Sequence, residues 1–241
     1  MGRSINGSYA EYACVPAASV VPIESGLPFE ELAAIPESYA TAWSALNDCL
    51  GIAAGQTLVV RGATSALGQA ALNVAATAGA RVIATTRDAA RAAGLEAIGA
   101  KEVLIETKAL AARLRELQPE GVDAVLDIIG TSTLMDSLAM LRRQGRCCVV
   151  GFLGGGEPLR DFDPVLQMPP FGVQLSSFAS AFVYGTPAYP LSDIPFQAIV
   201  DRVAAGDYKA KPARIFPLEG VPDAHRLMEA NGVNGKVVVR M

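Results

Sequence analysis

The sequence predicts an α/β protein built on a doubly wound parallel sheet with helices on both faces. Three observations predict it. From residue 57 onward, short apolar runs alternate repeatedly with helical stretches. The runs are continuous in hydrophobicity rather than alternating, as strands covered on both faces are. And 51% of the 241 residues are hydrophobic against 18% charged, which allows a large buried core and argues against disorder.

Taken in order, Ser8–Val15 reads as an extended, partly alternating segment ended by Pro16. Residues 28–50 are helical, opened by Pro28 with Glu30 and Glu31 in the first turn, where acids suit the helix dipole. Pro36 breaks that helix, and a second runs on to Gly51. Strands are then expected at 57–61, 81–86, 102–105, 122–129 and 146–150, with helices at 67–78, 88–98, 107–118 and 131–142 between them. Right-handed crossovers leave such a series little topological freedom. After Gly151 the chain turns rich in Gly and Pro and reads as a long loop. A sixth strand at 173–178, a helix at 193–205 and a strand–helix–strand tail over 211–241 complete the series.

Composition excludes several classes. A net charge of −4 offers no basic field for nucleic acid or an anionic membrane. No secretory signal is recognisable behind Met1, and apolar stretches are interrupted before they reach the length of a bilayer span. The cytoplasm is the expected compartment. Cys14, Cys49, Cys147 and Cys148 lack the spacing of metal ligands and are expected as small core residues. His225 is the only histidine, which argues against an imidazole-rich zinc site, so no metal ligand is expected. Its place in Asp223–Glu229 reads as a helix surface.

The candidate chemistry lies at the first strand-to-helix turn. Gly62, Ala63, Thr64, Ser65, Ala66, Leu67 and Gly68 leave a buried strand and open a helix of small residues. Backbone N–H groups there, with the helix dipole behind them, favour a diphosphate. Ala63 and Ser65 stand where a dinucleotide fingerprint has Gly, so the turn alone is equally readable as structural. Its position in the first βαβ unit favours the binding reading.

The end of the second strand bears on cofactor choice. An NAD site normally places an acid there for the ribose 2′-hydroxyl. Here Thr85, Thr86 and Arg87 stand instead, with Arg91 one turn on. Hydroxyls and guanidinium groups suit a 2′-phosphate. Asp88 opposes that reading unless it serves as a helix N-cap, and the two arginines read equally as solvated helix charges. NADP(H) is the expected cofactor.

An ordered series of segments then resembles the medium-chain dehydrogenase/reductase superfamily, in its zinc-independent, quinone-oxidoreductase-like branch. The segments are Tyr9–Tyr12 with Val15-Pro16, Ala33–Pro36 to Thr41-Ala-Trp43, Val60–Gly68, Gly79–Thr85, Gly121–Asp127, Gly145–Gly151, Ala224-His225 and Gly235–Val238. The resemblance implies that Thr41 lies near the nicotinamide and that Ile129, Gly130, Gly151 and Phe152 line the cofactor cleft. Asn234 and Lys236 are expected to approach it from the tail. It further implies remnants of a GroES-like substrate domain at 1–22, an NADP-binding Rossmann domain at 23–206 and a return segment at 207–241. The chain is expected to lack most of that substrate domain. The implied activity is NADPH-dependent hydride transfer to a quinone, enone or similar carbonyl-conjugated substrate. A truncated, non-catalytic NADPH-binding protein and a truncated zinc-type alcohol dehydrogenase are the alternatives. A small-molecule substrate and a homodimer through the Rossmann sheet are the expected partners. No catalytic residue is identified.

Overall fold

The computed structural model describes residues 7–241, so the first six residues of the expected 1–22 remnant lie outside the described residues. The chain divides into two compact units, Thr41–Phe178 and a discontinuous unit made of the residues up to Ala40 with Ala179–Met241. The sheet-bearing unit is thus narrower than the 23–206 span expected from sequence, and one boundary falls inside a helix.

That helix follows α1 (Phe29–Ala33); α2 runs Pro36–Ser44 and continues as one wide π turn, Ala45–Cys49. The alternating series comprises β1 (Thr57–Arg61), α3 (Ala66–Thr77), β2 (Arg81–Thr86), α4 (Ala92–Glu96), β3 (Ala100–Ile105), α5 (Leu110–Leu117), β4 (Val122–Asp127), α6 (Leu134–Ala139) and β5 (Leu141–Val149). The short helix α7 (Pro164–Gln167) and the strand β6 (Gln174–Ser177) close this unit. All pairings are parallel, and the strand order is β3-β2-β1-β4-β5-β6. This is the doubly wound dinucleotide-fold order, with its topological switch between β1 and β4.

Side-chain alternation sorts the core onto two faces. Val59, Ile83, Val125 and Cys147 pack with Leu110 and Leu114 of α5 and Leu134 and Leu138 of α6. The residues between them, Leu58, Val60, Val82, Ala84, Ala124 and Leu126, are equally buried. The alanine-rich α3 packs against β1 and β2, and its small buried residues allow close approach.

Three expectations need correction. The helix expected at 131–142 is only α6, and β5 begins at Leu141 rather than Arg146. Val122 pairs with Leu141 but Ala124 with Arg146, so residues 142–145 bulge out opposite Asp123 alone, with Gln144 at φ 60°. The bulge carries polar residues, which hid the strand's start. Helix 88–98 is a 3-10 turn (Ala89–Arg91) followed by the short α4. Ser8–Val15 forms no strand, because no other described segment pairs with it.

In the second unit, α8 (Ser180–Val183) and the amphipathic α9 (Phe196–Ala204) precede β7 (Arg214–Pro217), α10 (Val221–Glu229) and β8 (Val237–Arg240). Strands β7 and β8 pair in parallel. Tyr39 stacks on Tyr208 at 5.3 Å, and burial raises the Tyr208 pKa. No described helix is long and apolar enough to cross a membrane.

Candidate functional site: the carboxyl edge of the sheet

At the end of β1 the chain turns sharply through Gly62, whose φ of +80° is left-handed and suits glycine. The Gly62 N–H donates to Thr85 Oγ1 at 3.3 Å, tying the turn to β2. Ser65 caps α3: its Oγ accepts from Gly68 N at 3.0 Å and donates to Gly62 O at 2.9 Å. The first-turn N–H groups of Ala66 and Leu67 have no intrahelical acceptor. Gly68 lies directly on the turn. A Cβ there would stand 2.5 Å from Gly62 O and 2.6 Å from Ala63 Cα. Ala63 is itself fully buried, so it can offer a ligand only its backbone.

The end of β2 is more committed than the sequence suggests. Thr86 is buried, and its hydroxyl accepts from Asp88 N and donates to Asp88 O, both at 3.1 Å. It shapes the turn that presents Arg87. Asp88 is the N-cap, accepting from Ala90 N at 2.9 Å, and its other carboxylate oxygen lies 3.6 Å from Arg91 Nε. Arg87 is exposed and has no ion pair among the described residues.

The loops after β4 and β5 are zipped together. Leu153 N and Gly154 N donate to Ile128 O and Ile129 O at 3.3 and 2.8 Å. A Cβ at Gly130 would meet Gly151 O at 2.6 Å, and one at Gly151 would meet Ile128 O at 2.5 Å. Both glycines therefore permit this contact. Ile129 and Leu153 side chains also approach Gly62, within 3.7 Å of where its Cβ would be. The Gly62 turn, the end of β2 at Thr85 and the two loops 128–130 and 151–154 thus meet at the carboxyl edge. Phe152 is exposed there.

Beneath the edge lies a buried ionic network that sequence reasoning missed. Arg61, fully buried, is paired with Asp127 across β1–β4. Its guanidinium donates to both carboxylate oxygens of Glu106, to Asp136 Oδ2 at 2.9 Å, to Ser137 Oγ at 3.0 Å and to Thr133 O at 3.2 Å. Burial works against its charge, but the Glu106 hydrogen bond and the charges of Glu106, Asp127 and Asp136 overcome it, and its pKa is raised. Asp127 in turn accepts from Ile129 N and Gly130 N, both at 2.9 Å, and from Ser137 Oγ at 2.5 Å.

Thr41 Oγ1 is buried without a hydrogen-bond partner, a rare condition for a hydroxyl. Asn234 and Lys236 belong to the other unit, where Lys236 Nζ bonds Glu37 Oε2 at 3.2 Å. Among the described residues no three His, Cys, Asp or Glu side chains are grouped as a metal site. His225 lies on the exposed surface of α10, 2.9 Å from Tyr9 Oη. Of the cysteines, only Cys147 and Cys148 are fully buried; Cys14 is exposed and Cys49 half-buried, against the expectation of four core thiols. A cavity of about 870 Å³, lined by Asp123, Arg142, Arg143, Arg146 and Phe171, opens at the amino end of β4 and β5. It lies away from the Gly62 turn, and the loop geometry is the better guide to the cofactor site.

Residues 66–194 match the family model described as zinc-binding dehydrogenase. Prostaglandin reductase-3 of Bos taurus is 31% identical over 160 residues, covering 66% of this chain and 42% of that protein. A crystal structure of an NAD-dependent alcohol dehydrogenase is 30% identical with a TM-score of 0.82, covering 98% of this chain and 65% of that one. A mycobacterial protein complexed with NADPH is 27% identical with a TM-score of 0.86, covering 98% of this chain and 72% of that one. The bovine match thus covers less than half of that reductase, and the chain spans about two thirds of the alcohol dehydrogenase.

Proposed function

The chain belongs to the zinc-binding dehydrogenase family, within the medium-chain dehydrogenase/reductase superfamily, and from that premise we propose that it is an NADPH-dependent oxidoreductase. Its proposed substrates are quinones, enones and similar carbonyl-conjugated acceptors. The observation that carries the cofactor reading is the end of β2. No free carboxylate stands there: Asp88 is spent on capping Ala90 and facing Arg91, while Arg87 has no ion pair among the described residues. Relatives point both ways, since one is named NAD-dependent and another is complexed with NADPH. The local chemistry therefore has to decide.

The residues present fit such a cofactor. The α3 N-terminus and the Gly62–Gly68 turn would hold its diphosphate, because Gly68 admits no side chain and the first-turn N–H groups await an acceptor. Arg87 would take the 2′-phosphate, with Arg91 beside it. Ile129, Gly130, Gly151 and Phe152 would wall the cleft, and the orphaned Thr41 hydroxyl would find a partner on the nicotinamide side. NADPH, when bound, supplies hydride from nicotinamide C4. The chain's part is to orient it and exclude water. In this reading residues 23–206 serve the nucleotide, and 1–22 with 207–241 correspond to a GroES-like substrate domain.

We further read β6, the sheet's edge strand with Leu175 37% exposed, as the face through which two copies would pair. The test of the function is calorimetric titration with NADPH and NADH, followed by NADPH oxidation over a quinone and enone panel. A charge-assisted contact contributes about 1.5–3 kcal/mol, so Arg87→Ala is expected to cost roughly tenfold or more in NADPH affinity and little in NADH affinity. Equal affinities of the native chain for both cofactors would overturn the NADP reading. Binding without turnover would instead identify a non-catalytic NADPH-binding protein.

A further inference from the structure

Cys49 ends the π turn that follows α2, where Leu50 N reaches back to Ala45 O at 3.0 Å. The next residues are fastened to β5. Arg146 Nη1 donates to Leu50 O at 2.9 Å, and a Cβ on Gly51 would lie 2.5 Å from that nitrogen. Alternate residues of a strand share a face, so Cys148 points to the side of β5 on which residues 49–51 lie. Cys147 points to the other, within the fields of Asp127 and Arg61. The Cys49 and Cys148 thiols thus lie near enough that each shifts the other's titration. Ser176, which faces Cys148 in the β5–β6 register, stands beside them and donates its hydroxyl to Cys147 O at 3.3 Å.

The two sulfurs are unequal. Cys148 is fully buried and Cys49 only half-buried, so an oxidant reaches Cys49 first. The hydrogen bond from Cys148 brings the Cys49 thiol down to about 7, with help from Ser176 and against burial and the charge of Asp48. Cys148, as donor of that bond, is pushed up, and burial adds to the shift. A reactive cysteine is one with thiolate character and access, and a sensor also has a resolving thiol beside it.

We propose that Cys49 and Cys148 form a hydroperoxide-oxidised dithiol, which closes to a disulfide between the end of the α2 helical segment and β5. In the first step the Cys49 thiolate attacks the peroxide. A sulfur–oxygen bond forms, the O–O bond breaks, and the departing oxygen takes a proton to leave as water or an alcohol. Cys49 is then a sulfenic acid, oxidised by two electrons. In the second step the Cys148 sulfur displaces that oxygen. The S–S bond forms, the S–O bond breaks, and the Cys148 proton leaves with the oxygen as water. With hydrogen peroxide, two thiols and one peroxide give one disulfide and two waters. The contact must contract to a bond of about 2.05 Å, a movement for which the terminal position of Cys49 in its turn is suited. Neither Cys14, exposed and far along the chain, nor Cys147, on the opposite face of β5, has this arrangement.

The test treats the full chain with hydrogen peroxide, then denatures and alkylates it. Of the four cysteines, two are expected to escape alkylation, with an intact mass lower by about 2 Da. Cleavage after Glu37 separates Cys14 from Cys49, and the cross-linked peptide should join Cys49 to the Cys147-Cys148 peptide. Dithiothreitol should reverse it. C147S is expected to close like the native chain, C49S not at all, and C148S should leave a sulfenic acid on Cys49 that dimedone traps. Without peroxide, iodoacetamide labelling of native Cys49 should rise with a midpoint near pH 7. Peptide mapping of the native chain decides the matter even if a variant fails to fold. A link through Cys14, a link only between chains, or four alkylatable thiols after peroxide would each overturn the proposal.

Discussion

Replacing Arg61 with Met tests whether the buried ionic network holds the site's floor together. Met fills much of the same volume, so the cavity contribution is small. What is lost is five hydrogen bonds, three of them to carboxylates. The stranded partners are poorly solvated, with Glu106 and Asp136 side chains only 11% and 19% exposed. Removing one partner of such a group costs about 3–5 kcal/mol, because the remaining charge is buried unpaired. A chain of this size shifts by about 2–4 °C per kcal/mol, so melting should fall by roughly 6–20 °C. Adding Glu106→Gln to Arg61→Met, which neutralises the stranded acid, should recover part of the loss. Scanning calorimetry of the three proteins is the assay. If Arg61→Met melts within about 2 °C of the native chain, the network contributes little and the argument fails.

Gly68→Ala places a methyl 2.5 Å from a backbone oxygen, so the turn must move; a loss of about 1–3 kcal/mol and of most nucleotide affinity is expected, read by denaturant melts and titration. Ser65→Ala removes the α3 N-cap and should cost about 1 kcal/mol, with a smaller drop in affinity than Gly68→Ala; equal effects would deny that close backbone packing is what Gly68 provides.

The sheet was legible because strands buried on both faces read as unbroken apolar runs, and Leu58–Val60, Val82–Ala84 and Ala124–Leu126 are such runs. The Gly62–Gly68 turn was legible because its residue types answer to backbone geometry that only short side chains allow. Asp88 could be foreseen as a cap from its place before a helix. What hid was whatever depends on partners distant in sequence. Arg61 meets Glu106 and Asp136 across 45 and 75 residues, and no local pattern announces that. The bulge over 142–145 hid because polar residues there imitate a helix end. Ser8–Val15 carried strand character without a neighbour, and alternation alone cannot supply one.

Asp127 connects that hidden network to the candidate site. Its Oδ1 holds Ile129 N and Gly130 N, while its Oδ2 holds the hydroxyls of Thr133 and Ser137 at 2.9 and 2.5 Å. Ser137 passes the chain on to Arg61. The β4 loop is therefore shaped by acceptor geometry, and the negative charge serves mainly to balance Arg61. Asp127→Asn separates the two roles. Asparagine keeps the Oδ1 acceptor, and its amide can donate to the two hydroxyl oxygens, with the Thr133 proton turned to Gly130 O and the Ser137 oxygen also accepting from Arg61. Asp127→Ala instead orphans the buried Gly130 N–H, at about 1–3 kcal/mol, and the half-buried Ile129 N–H. Asn should thus retain slow exchange of the Ile129 and Gly130 amides and most nucleotide affinity, at a moderate cost in stability. Ala should lose protection at both amides and bind poorly. The measurement is amide exchange at those two positions, with NADPH titration alongside. If Asn proves as damaging as Ala at both amides, charge rather than acceptor geometry shapes the loop, and the path from Arg61 to the cofactor edge has been drawn wrongly.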